Sequence, residues 1–251
     1  MFLEGLDTVW ATEGLFWIAF AAFVAGIVRG FTGFGTAMIF LPVAGQFLSP
    51  ITAVTVLTVM DFFGPILLVP KAFKGARKGD LIRLLVPMAL VLPFALWMLN
   101  YADPKIFRYL ISLLALCLLV CLILGIQYKG KVTSPLLFGI GAFSGLTGGF
   151  LGMPGPPVTL LYMAGPYRAV VVRANTLLFL FAFDVLFITI IYLSGFMVLD
   201  AVFIGLAMVF PIVTGNLVGA KIFNLEKERI YRFAAFCIIA FSAINGLPFL
   251  D

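Results

Sequence analysis

Gly30-Phe31-Thr32-Gly33-Phe34-Gly35 interrupts an apolar run from 14 to 47, and Gly145-Leu146-Thr147-Gly148-Gly149-Phe150-Leu151-Gly152 interrupts another from 135 to 164. A simple membrane span takes about 20 apolar residues, so both runs are too long for one, and glycine breaks each near its middle. In hydrocarbon every backbone N–H and C=O needs a partner. A broken helix is therefore tolerated only where it is buried in protein or lines a wet cavity. The two stretches also correspond. Gly30, Thr32 and Gly33 match Gly145, Thr147 and Gly148 at a constant offset of 115, and Pro42 matches Pro157 at the same offset. Further on, Ile106-Phe107-Arg108-Tyr109 resembles Ile230-Tyr231-Arg232-Phe233 at an offset of 124. The chain thus reads as one transmembrane domain, 1–251, made of two homologous halves, about 1–127 and 132–251.

The rest of the sequence predicts an all-α integral membrane protein. Of its 251 residues, 63% are hydrophobic and 11% charged, against about 25% charged in a soluble domain. Further apolar runs at 51–70, 81–99, 105–126, 174–194, 199–220 and 230–247 leave almost nothing for a soluble domain. The net charge of +5 does not indicate nucleic acid, because the basic residues sit at the ends of apolar runs, as topology signals do. Residues 1–13 carry Glu4, Asp7 and Glu13 and no Lys or Arg, the wrong start for a cleavable signal peptide. Without histidine there is no His-based metal site or catalytic triad. Cys117, Cys121 and Cys237 lie inside apolar runs as small packing residues. No enzymatic activity, metal or cofactor is expected.

Lys and Arg favour cytoplasmic loops, and they test the topology. If the run 135–164 enters and leaves on one side as a re-entrant hairpin, thirteen basic residues fall on that face and only Lys105 and Arg108 on the other, with Arg29 inside the first run. If all eight runs cross, the split is seven against eight. The hairpin obeys the positive-inside rule. Symmetry suggests a hairpin in the first run too, which the charge count does not fix. Each half is then a Gly-broken hairpin plus three transmembrane helices, and the odd number of crossings makes the repeats inverted, a plan known from secondary transporters. Both termini are expected outside. The basic segment from Lys71 to Arg83 is expected to touch anionic lipid headgroups.

A broken helix frees N–H groups at the start of the next half-helix, and these, with the helix dipole, favour an anion. The sequence places such starts at Gly35–Ala37 and at Gly149–Gly152. Candidate substrate-binding residues are Arg29, Thr32, Gly33, Gly35 and Thr36 at the first break, and Thr147, Gly148, Gly149 and Gly152 at the second, with Asn175 a weaker candidate. Arg29 supplies a guanidinium fork suited to oxyanions. Asp61 and Asp184 lie in mid-run, where a charge is costly and functional by default. They are candidates for carrying a coupling proton, or for neutralising Arg29. Gly26, Gly30, Gly141, Gly145, Gly215 and Gly219 have the G-x-x-x-G spacing that lets helices pack closely.

The line Ala25-Gly26-Ile27-Val28-Arg29-Gly30-Phe31-Thr32-Gly33-Phe34-Gly35 with Pro42, and Gly141-Ala142-Phe143-Ser144-Gly145-Leu146-Thr147-Gly148-Gly149 with Pro157, resemble the sulfite exporter TauE/SafE family. The resemblance covers nearly the whole chain. It departs from the family pattern at Thr36-Ala37, where more glycine is frequent. It implies a multi-pass transporter in the bacterial inner membrane whose substrate is a small sulfur-containing anion such as sulfite, thiosulfate or an organosulfonate. Alternating access is expected from rocking one half against the other. The rivals are a transporter of another small anion, such as a carboxylate, and a non-transporting membrane scaffold with dry glycine interfaces.

Overall fold

The computed structural model describes residues 7, 9–32, 35–63, 69–124, 132–164, 167, 169–222 and 228–248. The regular structure among them is helical, with no strand: α1 (Leu15–Thr32), α2 (Thr36–Ala44), α3 (Pro50–Phe62), α4 (Val69–Gly75), α5 (Lys78–Asn100), α6 (Pro104–Ile123), α7 (Ser134–Leu151), α8 (Gly155–Ala164), α9 (Ala169–Leu193), α10 (Leu199–Ile222) and α11 (Glu228–Asn245). Among the described residues five helices, α5, α6, α7, α9 and α10, are long and apolar enough to cross a membrane. The apolar run 51–70 is divided, with α3 ending at Phe62 and the short α4 beginning at Val69. Leu90, Leu193 and Phe210 are 76%, 76% and 77% exposed. Large apolar side chains exposed along the helices suit lipid as the surrounding medium, and the chain is a multi-pass membrane protein.

The chain divides into two compact units, one of residues 1–60, 102–123 and 198–251, the other of 61–101 and 124–197. Neither unit coincides with a sequence half. Each joins the Gly-broken segment of one half to the third long element of the other.

In the first unit α1 runs parallel to α10 at backbone contact. A Cβ added at Gly26 collides with the Ile212 carbonyl, and one at Gly30 with that of Asn216. A Cβ at Gly215 collides with the Phe23 carbonyl and one at Gly219 with that of Ile27. Four-residue spacing on both helices thus produces two matching glycine faces, which only a residue without a side chain can supply. After the break α2 turns back, so that Phe47, just past its end, packs on Gly14, just before α1. At the same end of α2, Gln46 Nε2 donates to the carbonyls of Pro42 (3.0 Å) and Asn245 (3.2 Å). Buried Arg108 on α6 donates from Nε to the Gly246 carbonyl (3.2 Å).

The second unit repeats the device. Gly141 of α7 meets Leu84 of α5, Gly145 meets Met88 (2.8 Å from an added Cβ to its carbonyl oxygen), and Gly149 meets Leu92 and Ala95. Equal steps along both helices make α5 and α7 parallel. The helix α9 begins at the end where α5 begins, with Gly75 against Val170 and Ala174 (3.5 and 3.7 Å from an added Cβ). The helix α8 runs back to that same end, where the Tyr162 hydroxyl lies 2.7 Å from Asn175 Nδ2.

Candidate functional site

At the first break α1 ends at Thr32 and α2 begins at Thr36. Gly33 and the side chain of Thr32 lie outside the described residues. Gly35 has φ 99° and offers no side-chain cap to α2. That left-handed backbone costs glycine little and other residues more. Arg29 occupies the last turn of α1, half-buried, and its Nη1 donates to Thr36 Oγ1 across 3.4 Å. The guanidinium therefore reaches over the break to the first residue of α2, itself only 5% exposed. Thr36, Ala37 and Met38 all carry an N–H at the positive end of the helix dipole. Nine residues make α2 about 14 Å long, about half of a hydrocarbon core of about 30 Å.

At the second break the glycines fall on the helix end and not on the next helix start. The sequence placed a half-helix start at Gly149–Gly152, but these residues are the end of α7. Gly152 caps it with φ 65°, its N–H donating to the Gly148 carbonyl (2.8 Å), while the Met153 N–H donates to that of Thr147 (3.1 Å). The following half-helix, α8, starts at Gly155. The cause is Pro154-Gly155-Pro156-Pro157. Proline cannot continue a helix but suits its first turn. Gly148, Gly149 and Gly152 thus belong to a carbonyl-bearing, negative end, and α8 has no N–H at its second and third residues.

Thr147 organises this break. Its hydroxyl lies 3.0 Å from the Phe143 carbonyl and 3.1 Å from that of Met153. With its own carbonyl accepting the Met153 N–H, Thr147 engages both backbone groups of the residue beyond the glycine. Gly148 is covered by the Phe183 ring (2.5 Å from an added Cβ) and Pro154 (2.7 Å), and Gly149 by Ala95 (2.6 Å) and Leu92 (2.8 Å). Asp184, next to Phe183 in α9, is 8% exposed, and Asp61 is half-buried in the last turn of α3. Neither carboxylate is without a partner.

The family model of the sulfite exporter TauE/SafE matches residues 18–246, which include both breaks and nearly the whole chain. The chain belongs to the sulfite exporter TauE/SafE family. No curated protein and no solved structure matches it. Membership makes the chain a membrane transporter of the sulfite-exporter kind, with a small anion as its substrate.

Not every polar residue of this TauE/SafE chain belongs to a break. Asn175 is fully buried at the start of α9, where Oδ1 accepts the Arg77 N–H (2.8 Å) and Nδ2 donates to Tyr162. Tyr162 lies toward the other end of α8 from Gly155. The same end holds a group that sequence reasoning missed. The Tyr167 hydroxyl donates to Asp80 Oδ2 (3.0 Å), and Arg77 and Arg83 each flank that carboxylate at 3.6 Å. The Arg77 guanidinium also lies 5.1 Å above the Tyr167 ring. The available signal was Asp80 itself, the one acid within the basic segment from Lys71 to Arg83.

Proposed function

We propose that this TauE/SafE member is a secondary transporter of sulfite, thiosulfate or an organosulfonate across the bacterial inner membrane. The anion binds at the start of α2. The observation that carries this is the Arg29 guanidinium bonded to Thr36 across the first break. It places a fixed cation, a hydroxyl and an uncapped helix start together, each suited to a compact oxyanion. Gly35 leaves the backbone open to close approach, and Thr32 and Gly33 are assigned to the site from their place in the sequence. Thr147, Gly148, Gly149 and Gly152 shape the second break, and its dry packing against Phe183, Leu92 and Ala95 gives them a supporting part. Asn175 holds the start of α9 rather than the anion.

The re-entrant, inverted arrangement draws support from the return of α2 to Gly14 and of α8 to Arg77, together with the one-sided basic residues. In alternating access α1 moves with α10, and α5 with α7, because their glycine faces meet at backbone contact. Asp61 or Asp184 carries a coupling proton in this scheme. Uptake driven by a pH gradient supports that coupling, and indifference to the gradient removes it.

The binding experiment is thermal shift of the purified protein against sulfite, thiosulfate, sulfoacetate, taurine, sulfate, acetate and chloride, since a ligand of the folded state raises its apparent stability. Sulfur anions are expected to raise the melting temperature of the parent and not of Arg29→Ala. A shift that persists in Arg29→Ala removes the site at α2. A shift with acetate alone transfers the reading to a carboxylate transporter.

A further inference from the structure

The cluster around Asp80 has two layers of different strength. The inner layer is fully buried. Asn175 and Tyr162 have no exposed surface, and Asn175 grips one residue of the α4–α5 connection through both backbone groups, accepting the Arg77 N–H at 2.8 Å and reaching the Arg77 carbonyl at 3.5 Å. Buried hydrogen bonds of this kind are costly to open because every group left behind loses its partner. This layer fixes the start of α9 and the end of α8 to the residue that precedes α5.

The outer layer is built to part. Its centre is the Asp80 carboxylate in the first turn of α5, held by the Tyr167 hydroxyl at 3.0 Å. The two arginines beside it stand at 3.6 Å, beyond hydrogen-bond range, and their side chains are 59% and 47% exposed. Each pair sets a half-exposed arginine against a carboxylate only 11% exposed, so the solvent side of this layer consists of side chains without a hydrogen bond to it. Tyr167 lies in the connection between α8 and α9, and its ring packs edge-on to Tyr162 at 5.3 Å. It is thus the piece joining the returning half-helix to α5, at the end where α5, α7 and α9 all begin. The basic residues of the sequence cluster at that end, which makes it the cytoplasmic one by the positive-inside rule.

We propose that Tyr167 and Asp80 form a latch at the cytoplasmic end of the second unit, and that its release lets α8 shift against α7 and α9, on which it packs, and opens the Gly152–Pro154 break to water from that side. Arg77 and Arg83 flank the carboxylate and hold it in place, so the latch closes again without rebuilding the buried Asn175–Tyr162 layer, about which α8 pivots. The gating role rests on the transport reading above, but the opening itself does not.

The test is thiol accessibility. The three cysteines (Cys117, Cys121, Cys237) are replaced by serine, and Met153→Cys places one thiol at the break, where Met153 is 1% exposed. A membrane-impermeant maleimide is applied to inside-out vesicles without substrate. Tyr167→Phe is expected to raise the labelling rate at least tenfold, and Asp80→Asn to do the same should the first variant fail to fold. Lys71→Gln, on α4 and outside the latch, is expected to leave the rate unchanged. An equal rate in the latch variants and the parent overturns the proposal. So does an equal increase in Lys71→Gln, which signals general loosening. Faster labelling in a protein that binds and moves no sulfur anion upholds the latch and removes the transport reading instead.

Discussion

Gly26 and Gly139 are both glycines within apolar helices, yet they meet opposite demands. A Cβ at Gly26 strikes the backbone of α10, whereas one at Gly139 has nothing within 4 Å. Gly26→Ala is expected to destabilise by about 1–3 kcal/mol through overpacking. Gly139→Ala is expected to stabilise by up to about 1 kcal/mol through helix propensity. Thermal unfolding in detergent separates them, and equal effects would refute the close packing of α1 on α10. Thr147→Val removes the hydroxyl that reaches the Met153 carbonyl and is expected to cost about 1–3 kcal/mol, with Thr147→Ser near the parent. Tyr167 adds a pH effect. Burial first, and then its hydrogen bond to Asp80, raise its phenol above the ordinary value of 10. A raised folded value means the stabilisation is fully present below pH 10 and lost as pH climbs through the folded value. Stability measured from pH 8 to 11 is expected to fall less steeply at the alkaline end in Tyr167→Phe than in the parent.

At the scale of elements, each glycine face finds its partner in the other half of the chain. The helix α1 packs on α10, and α7 on α5. The first half expressed alone therefore exposes the glycine face of α1, and the second those of α7 and α10, each without the helix that covers it. Residues 1–127 and 132–251, expressed as separate fragments, are each expected to be unstable alone and to co-purify when made together. Recovery of either fragment as a stable, monodisperse protein would contradict this dependence. The same exchange explains why the two units could not be read off the sequence. A constant offset of 115 pairs segments by sequence alone, and segments so paired can pack with their own half or with the other. That choice is made by the fit of Gly26 and Gly30 against Gly215 and Gly219, across nearly the length of the chain.

For the whole molecule, the topology in which both hairpins re-enter predicts that a soluble reporter fused to the C-terminus is found outside. A cytoplasmic reporter would reject the inverted arrangement. The amino-acid sequence by itself determined the membrane class, the helical content, the two glycine breaks and the family, because hydrocarbon demands long apolar runs and makes each interruption visible. Arg29 and Thr36 were legible for the same reason, one a charge in an apolar run and the other beside a break. Only the tertiary structure decided which half-helix the glycines of the second break belong to. Gly149–Gly152 are compatible with either end of a half-helix until Gly152 adopts its left-handed cap and the prolines start α8 at Gly155. It also decided the partners of Asn175, Tyr162, Asp80 and Tyr167. Local pattern reports what a residue costs in a membrane, whereas the group that offsets that cost is set by which helices pack together.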